Sequence, residues 1–283
     1  MTATLLHSAA ALRDADAGGR RAVVMTMGAL HDGHAELVRS ARRQVGPDGT
    51  VIVTVFVNPT QFAAGEDFTR YPRTLDDDVR LADEAGADIV FAPDAVEVYG
   101  PAQGFRPDSV TVDAGPLGDI LEGAARPGHF RGVLSVVLTL MGMTRPEIAM
   151  FGEKDYQQLV LVRRMVDDLS VGVRIIGVPT VREADGFARS SRNRYLSVEE
   201  RATASAVPRA LAAVAAAAAD GADAALAAGL DVLDATPGLD LDYLVITDPD
   251  LLPAPEHGDA RVLAAAKVGA TRLIDNRAIR LGR

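Results

Sequence analysis

Runs of apolar residues alternate with segments of helical pattern over about the first 180 residues, and this alternation constrains the fold most strongly. One run, TVIVTVFV at 50–57, is typical of a strand buried on both faces of a parallel sheet. Similar runs predict strands at 21–30, 87–93, 147–152 and 173–181, and the segments between them predict helices at 33–45, 74–86, 132–144 and 156–169. Because strands that alternate with helices form parallel sheets with right-handed crossovers, residues 1–180 are predicted to form a doubly wound α/β domain.

The pattern changes after this predicted domain. Ser197 and Glu200 form an S-x-x-E capping box that opens a helix, and Pro208 is expected to break or kink that helix. The alanine-rich stretch 210–233 is interpreted as two further helices, since alanine has the highest helix propensity. Three short strands are predicted at 241–249, 261–269 and 271–276. Helices followed by strands predict a smaller α+β domain over residues 181–283.

Charge and residue types exclude several classes of function. The net charge of −10 disfavours sequence-independent nucleic-acid binding, which relies on many Lys and Arg residues. The chain has no cysteine, which excludes disulfides and zinc sites built from thiolates. No uncharged apolar stretch reaches the roughly 18 residues of a membrane span, and the N-terminus lacks the basic region of a secretory signal. We therefore expect a cytoplasmic protein that binds neither nucleic acid nor membrane.

Polar clusters follow four of the predicted strands. They are His31 with His34, Asn58 with Gln61, FGEKDYQQL at 151–159 and READGFARSSRNRYL at 182–196. Open α/β sheets bind ligands in the crevice beyond the carboxyl ends of their strands. The four clusters are therefore predicted to contribute to one site.

The segment TMGALHDGH at 26–34 is predicted to turn from a strand into a helix. His34 would lie in the first helical turn, where free N–H groups and the helix dipole favour an anion. Imidazoles at this place can donate hydrogen bonds to phosphate oxygens, and we favour that role for His31 and His34. Metal ligation is an alternative, although the pair lacks the Glu of H-E-x-x-H and no third ligand follows. A structural role is the other alternative.

Two further segments have a functional and a structural interpretation. Lys154 directly follows a strand and, with Lys267, is one of only two lysines in the chain. It is suited to neutralise a triphosphate as a point charge, or it lies on the solvated surface. The segment ARSSRN at 188–193 offers hydroxyl, guanidinium and amide groups for a loop that closes on phosphates. Because Ser and Asn favour turns, an ordinary turn is its alternative.

Charged residues elsewhere also allow two interpretations. In RPGHFRG, at 126–132, Arg126 and Arg131 flank His129, and two arginines can bind a carboxylate or phosphate through paired contacts. In LDDDVRL, Asp77 or Asp78 could hold Mg²⁺ together with phosphate oxygens, or the run is a solvated helix face. Other phosphate motifs are missing, since the chain has neither a P-loop nor a G-x-G-x-x-G after the first strand. A G-x-S-x-G nucleophile elbow is missing as well.

Eight motifs in chain order resemble the pantoate–β-alanine ligase (pantothenate synthetase) family, which belongs to the nucleotidyltransferases with an H-x-G-H turn. They are TMGALHDGH, VFVNPTQF, YPRTLDDD, RPGHFRGV, FGEKDYQQL, VPTVREADG, SSRNRYL and TRLIDN. The sequence departs from the family at Met25, where Pro is usual, and at Arg189, where Met is usual. Because the motifs run nearly from end to end, the resemblance is specific.

The resemblance implies the reaction and its substrates. Pantoate attacks the α-phosphate of ATP to give pantoyl adenylate and pyrophosphate, with Mg²⁺ required. The amine of β-alanine then attacks the acyl carbon, which gives pantothenate and AMP. The implied fold is a Rossmann-like N-terminal domain with a smaller C-terminal lid, and the implied assembly is a homodimer.

The resemblance also implies roles for individual residues. The residues implied for catalysis at the ATP phosphates are His31, His34, Lys154, Ser190, Ser191 and Arg192. Those implied for the rest of the ATP site are Met27, which packs against the substrate, and Gly152, Asp155 and Val181, which line the adenosine pocket. Gln61 and Gln158 are implied to bind pantoate. Asn58 and Arg126 would lie near the phosphates or β-alanine, and Asp77, Asp78 or Gln158 would lie near Mg²⁺.

Three other functions compete with this one. Another nucleotidyltransferase would share the H-x-G-H turn, but NPTQF and GEKDYQQL match the pantoate-binding family in particular. A non-catalytic nucleotide-binding relative should have lost at least one of His34, Lys154 or Ser-Ser-Arg, and all are present. A histidine-based metal hydrolase should show activity without ATP and lose it on chelation.

Overall fold

The computed structural model describes residues 2–15, 18–63 and 67–282. The spacing of Cα atoms divides the chain into two compact units. The first unit runs to Gly152 and adds Gln157–Val178, while the second combines Glu153–Tyr156 with the chain from Pro179 onward. The short segment 153–156 therefore groups with the second unit, although it lies between two parts of the first in sequence.

Within the described ranges, the first unit contains a six-stranded parallel sheet. Its strands are β1 (Thr4–Leu6), β2 (Arg21–Thr26), β3 (Thr50–Val55), β4 (Ile89–Phe91), β5 (Ile148–Gly152) and β6 (Arg174–Val178). The spatial order is β1-β4-β3-β2-β5-β6, which confirms the predicted doubly wound, Rossmann-like α/β fold. The chain moves from β2 through β3 and β4 on one side and later through β5 and β6 on the other. This reversal beside β2 is where such sheets bind ligands.

Helices connect the strands of this sheet. They are α1 (Ala9–Asp14), α2 (Asp32–Val45), α3 (Leu75–Ala85), α4 (Ala95–Tyr99), α5 (Glu122–Ala125), α6 (His129–Thr144) and α7 (Tyr156–Asp168). Short 3-10 helices lie at Pro59–Gln61, Asp67–Thr69, Gly100–Ala102, Pro116–Gly118 and Glu153–Asp155. The four predicted helices are confirmed. Strand β1 was not predicted, because three residues are too few to show a period, and helix α1 was not predicted either.

The core of the first unit explains the two-sided apolar strands. Val51 and Val53 of β3 are fully buried and pack in one cluster with Val38 and Ala41 of α2. Ile52 of β3 is also fully buried, so this strand has no solvated face. Burial of each Val or Ile side chain contributes about 1.5–3 kcal/mol. The strand ends that carry the polar clusters therefore rest on a well-packed base.

The second unit is the predicted α+β arrangement. Its helices are α8 (Val198–Ala204), α9 (Ala206–Ala217) and α10 (Ala222–Asp234), with 3-10 helices at Ser191–Tyr195 and Ala218–Asp220. Its antiparallel strands are β7 (Leu239–Thr247), β8 (Gly258–Val268) and β9 (Thr271–Leu281), in the order β7-β8-β9. As predicted, Pro208 interrupts the helix: α8 ends at Ala204, the residue whose carbonyl would have accepted the missing proline N–H.

One helical stretch of the described chain, Val198–Asp220, is long and apolar enough to cross a membrane by length and composition alone. It comprises α8, α9 and the 3-10 helix that follows. Its side chains Val207, Leu211 and Val214 are buried in one cluster with β8 and β9. The same composition is therefore accounted for by packing within the second unit.

Candidate active site

The H-x-G-H turn joins β2 to α2 at the switch point of the sheet. His31 is the N-cap of α2, and its Nδ1 accepts a hydrogen bond from the Gly33 amide at 3.1 Å. His34 Nδ1 accepts in turn from the His31 amide at 3.2 Å, so the two histidines form a reciprocal capping box. Their rings lie against each other with centroids 4.1 Å apart. Both imidazoles are thus fixed by the backbone of the helix start.

These hydrogen bonds determine which ring nitrogen carries the proton. Because Nδ1 accepts in both rings, each neutral imidazole carries its proton on Nε2. Two N–H donors are therefore presented at a helix N-terminus, where the dipole also favours an anion. The glycine between the histidines is required by the same geometry, since a Cβ at Gly33 would lie 2.8 Å from Cε1 of His31.

Asn58 organises the loop after β3. It is almost completely buried, and its Oδ1 accepts hydrogen bonds from the Thr60 amide at 3.2 Å and the Tyr99 hydroxyl at 2.6 Å. Its Nδ2 donates to Gln61 Oε1 at 3.1 Å and to the Gly132 carbonyl at 3.2 Å. Burial raises the pKa of Tyr99, so its hydroxyl stays protonated as a donor at neutral pH. Asn58 therefore orients Gln61 instead of projecting toward a ligand.

Gln61 links the predicted site residues of the first unit. Its Nε2 donates to Sδ of Met27 at 3.0 Å, and its side chain is held by Asn58 from the other side. Its backbone carbonyl accepts from Nδ1 of His129 at 2.9 Å and from Arg126 at 3.4 Å. Nε2 of His129 lies 3.0 Å from the Arg126 guanidinium and accepts from it. The structure thus brings together Met27, Asn58, Gln61 and Arg126.

A cavity of about 240 Å³ opens beside Arg126 within the first unit. Arg126 and Arg131 supply the positive charge of its lining, His129 lines it as well, and Phe62 and Phe105 supply apolar walls. Arg131 lies over the Phe105 ring at 5.4 Å. Among the described residues that line the cavity there is no Asp or Glu. The cavity is therefore suited to a small anion with an apolar body.

The carboxylates predicted near a metal ion have other hydrogen bonds. Asp78 is buried, and its two oxygens accept from the amides of Ala29 at 3.1 Å and Leu30 at 2.8 Å. Asp77 is exposed and bonds Arg80 at 2.9 Å. No group of three or more His, Asp or Glu side chains suited to a metal ion occurs in the described part of the chain.

The two glutamines at the start of α7 have different surroundings. Gln157 is buried and donates to the carbonyls of Leu117 and Ile120 at 2.7 and 2.8 Å. Gln158, the residue predicted to bind pantoate, is only half-buried. The amide of Gln157 therefore serves the fold, which leaves Gln158 as the side chain of the pair that is suited to a ligand.

In the second unit, Asn276 of β9 holds the segment that carries Lys154. Its Nδ2 donates to the carbonyls of Glu153 at 2.8 Å and Lys154 at 2.9 Å. Its Oδ1 accepts from Arg261 at 2.7 Å, and Arg261 also bonds Glu153 Oε2 at 2.9 Å. Lys154 Nζ lies 3.5 Å from Asp155. The predicted pair Lys154 and Asp155 is thus anchored on the sheet of the second unit, while Gly152 ends β5 in the first.

The neighbouring residue Asp275 holds the segment that carries Val181. Its carboxylate pairs with both terminal nitrogens of Arg182, at 2.7 and 2.9 Å. Next to Arg182, the Val181 carbonyl accepts from the Arg189 amide at 2.9 Å, which places Val181 beside the Ser-Ser-Arg segment. The Arg189 side chain itself is exposed. Asp275 and Arg182 therefore determine the position of this hairpin.

The Ser-Ser-Arg segment opens a 3-10 helix. Ser190 is its N-cap, and Ser190 Oγ accepts from the Arg192 amide at 3.3 Å. Ser191 and Arg192 are half-buried in its first turn. Nδ2 of Asn193 donates a hydrogen bond to the Ala188 carbonyl at 3.0 Å, which closes the turn. The turn interpretation of ARSSRN is correct as geometry, since Ser190 caps the 3-10 helix that begins with Ser191 and Arg192.

The residues that position the site were not predicted from the sequence. Arg261, Asp275 and Asn276 are buried and remote in sequence from the segments they hold, and Arg182, next to Val181, pairs with Asp275. The motif TRLIDN was recognised, but no role followed from it. The sequence signal that could have found them is Asp275 followed by Asn276, an acid and an amide at the end of a predicted strand.

A family model described as pantoate-beta-alanine ligase matches residues 2–278. Pantothenate synthetase from Nocardioides sp. is 57% identical, with 99% of this chain and 83% of the relative covered. The same enzyme from Nocardia farcinica is 56% identical, with 92% and 80% covered.

Solved structures give the same result. Pantothenate synthetase from Thermus thermophilus superposes with a TM-score of 0.89 at 47% identity, covering 97% of this chain and 98% of that chain. Pantoate-beta-alanine ligase from Francisella tularensis, complexed with beta-gamma ATP and beta-alanine, has a TM-score of 0.79 at 30% identity, with 97% of each chain covered. These similarities span the two units together.

Proposed function

The chain belongs to the pantoate-beta-alanine ligase family, and from this premise we propose how it catalyses the ATP-dependent condensation of pantoate with β-alanine to pantothenate. A carboxylate oxygen of pantoate bonds to the α-phosphorus of ATP, the bond to the β-phosphate breaks, and pyrophosphate leaves. The β-alanine nitrogen then bonds to the acyl carbon of the pantoyl adenylate and loses a proton, and AMP leaves.

The observation that carries this proposal is the pair of imidazole donors at the start of α2. Nδ1 accepts a hydrogen bond in both His31 and His34, so each neutral ring carries its proton on Nε2, the atom proposed to donate to a phosphate oxygen. Adenylation needs no nucleophile from the protein, since positioning and electrostatic stabilisation of the transferring phosphoryl group supply the rate. We therefore assign the two histidines to the α-phosphoryl group.

The other substrate contacts follow the family pattern residue by residue. The family pattern assigns Lys154, Ser190, Ser191 and Arg192 to the β- and γ-phosphates, and it assigns Gly152, Asp155 and Val181 to the adenosine. Their support here is the anchoring of the two segments by Asn276 and Asp275. In the first unit, Gln61 and Gln158 bind pantoate and Met27 packs against it. Asn58 acts by orienting Gln61.

The cationic cavity is proposed to receive the carboxylate of β-alanine. This choice resolves the expectation that Arg126 lies near the phosphates or the second substrate. Arg126, Arg131 and Gln61 all line the cavity, and Arg126 donates to the Gln61 carbonyl. The apolar walls suit the methylenes of a small amino acid. Because Nε2 of His129 accepts from Arg126, the imidazole is neutral and orients the guanidinium without adding charge.

Replacement of Arg126 or Arg131 by Gln is expected to raise the KM for β-alanine by about 10- to 100-fold, the effect of losing a charge-assisted hydrogen bond. The measurement compares kcat/KM for β-alanine with that for 3-aminopropan-1-ol, an acceptor with the same number of carbons that has a hydroxymethyl group in place of the carboxylate. The preference for β-alanine should fall in both variants. Arg43→Gln, at an exposed arginine that bonds Glu36, is the matched control. Equal losses for both acceptors would reject a carboxylate-binding role.

We propose that Mg²⁺ enters the site together with ATP. The described residues provide no group of three ligands, and both oxygens of Asp78 accept backbone hydrogen bonds. When bound to the triphosphate, Mg²⁺ would neutralise charge on the leaving pyrophosphate. That Asp77 or Gln158 lies near the ion stays a prediction.

The test of the proposed function is ATP–pyrophosphate exchange with pantoate present and β-alanine absent. We expect exchange that depends on pantoate and on Mg²⁺, and on addition of β-alanine we expect pantothenate and AMP in equal amounts. ATP binding without exchange would reject the adenylate step. Exchange that ignores pantoate but responds to another carboxylic acid would change the substrate.

Three further expectations accompany this function as proposals. Residues 1–180 form the domain for ATP and pantoate, and residues 181–283 form a smaller lid domain. The protein acts as a homodimer. It works in the cytoplasm with small-molecule substrates alone.

A further inference from the structure

The turn before the two histidines has an uncommon backbone conformation. Gly28 has φ +82°, and Ala29 follows it with φ +51°, in the left-handed region that non-glycine residues rarely occupy. Ala29 is also almost completely buried. Something other than the intrinsic preference of alanine must hold this turn.

Asp78 from the first turns of α3 supplies that restraint. Its Oδ2 accepts from the Ala29 amide at 3.1 Å, and its Oδ1 accepts from the Leu30 amide at 2.8 Å. Thr74 Oγ1 donates to Oδ1 at 3.3 Å. The carboxylate is only 2% exposed, and it lies so close to the turn that a Cβ at Gly28 would be 2.8 Å from Oδ2. The N-terminal end of α3 favours this buried negative charge.

We propose that Asp78 is a positioning residue for the reaction and not a magnesium ligand. By holding Ala29 and Leu30, Asp78 sets the position of His31, the N-cap of α2. It thereby sets the directions of the Nε2–H groups of His31 and His34. The proposal rests on the proposed role of those histidines in ATP binding. It also accounts for the amides of Ala29 and Leu30, which donate to the two oxygens of Asp78. A metal ion would need those same oxygens as ligands, whereas amide donors suit a carboxylate without a metal.

The test replaces Asp78 by Asn, which keeps the size but turns one acceptor oxygen into a donor group facing a backbone N–H. Amide hydrogen exchange is measured at Ala29 and Leu30 without substrates. Pantoate-dependent ATP–pyrophosphate exchange is then measured over a range of Mg²⁺ concentrations. Asp76→Asn, at an exposed residue of the same helical turn, is the matched control for the loss of charge.

A positioning role predicts that Asp78→Asn speeds amide exchange at the two residues by about tenfold or more and lowers kcat by about tenfold or more. The Mg²⁺ concentration for half-maximal rate should change by less than about twofold. A metal-ligand role predicts the reverse: protected amides, and activity restored by excess Mg²⁺. That result would overturn the proposal.

A second variant decides the question if Asp78→Asn does not fold. Thr74→Val removes only the hydroxyl bond to Oδ1 and keeps the carboxylate. It should produce smaller changes in the same direction, in both amide exchange and kcat, with unchanged Mg²⁺ dependence. No change in either measurement would count against the proposal. Amide hydrogen exchange needs no turnover, so its outcome is separate from the test of the proposed function. That test is ATP–pyrophosphate exchange by the unmodified enzyme.

Discussion

Replacement of His34 by alanine is expected to lower pantoate-dependent ATP–pyrophosphate exchange by about 100- to 1,000-fold, the usual cost of removing one donor that stabilises a transition state. The imidazole is held by the hydrogen bond from the His31 amide to Nδ1, so the neutral ring carries its proton on Nε2. Alanine removes this donor to the α-phosphoryl oxygens, where negative charge develops in the transition state. The rate should therefore fall far more than the affinity for ATP.

A matched variant separates this role from helix capping. In His34→Asn the side-chain oxygen lies about where Nδ1 lies and can accept from the His31 amide, but no group replaces Nε2–H. Alanine loses the cap as well, which costs about 1 kcal/mol and lowers Tm by about 2–4 °C. We expect Asn to restore the thermal stability and not the exchange rate. If Asn restores exchange, capping is the role of His34 and the phosphate role is wrong.

Replacement of Lys154 by alanine is expected to lower kcat/KM for ATP in the same exchange assay by about 10- to 100-fold, which corresponds to a lost charge-assisted hydrogen bond. The backbone of Lys154 is held by Asn276, so the variant should keep the loop and lose only the ammonium group. Arginine is not expected to restore full activity, because its planar guanidinium does not replace a compact point charge.

The scarcity of lysine makes a direct measurement feasible. Lys154 and Lys267 are the only lysines, and Lys267 is exposed on β8. Acetylation followed by mass spectrometry should show that ATP protects Lys154 and leaves Lys267 unprotected in the same sample. Lys267→Ala serves as the activity control. If ATP leaves the labelling of Lys154 unchanged, as it should that of Lys267, Lys154 does not belong to the phosphate site.

The sequence by itself determined the fold class and the family. The two-sided apolar runs, such as 50–57, required a parallel sheet, because a strand without a polar face must be covered on both sides. The order of strands and helices then placed His31 and Asn58 at strand ends. Pro208 marked the break between α8 and α9, since its missing N–H is a local property. The family followed from motifs that are contiguous in the chain.

Only the tertiary structure decided what each polar residue does inside those motifs. Asn58 and Asp78 were predicted to lie near ligands, yet their buried hydrogen bonds hold other segments. Asn276 lies more than a hundred residues from the Lys154 segment that it anchors. Local pattern reports which groups are polar, whereas a buried polar group must be satisfied by whichever partner the fold brings to it, and those partners are distant in sequence.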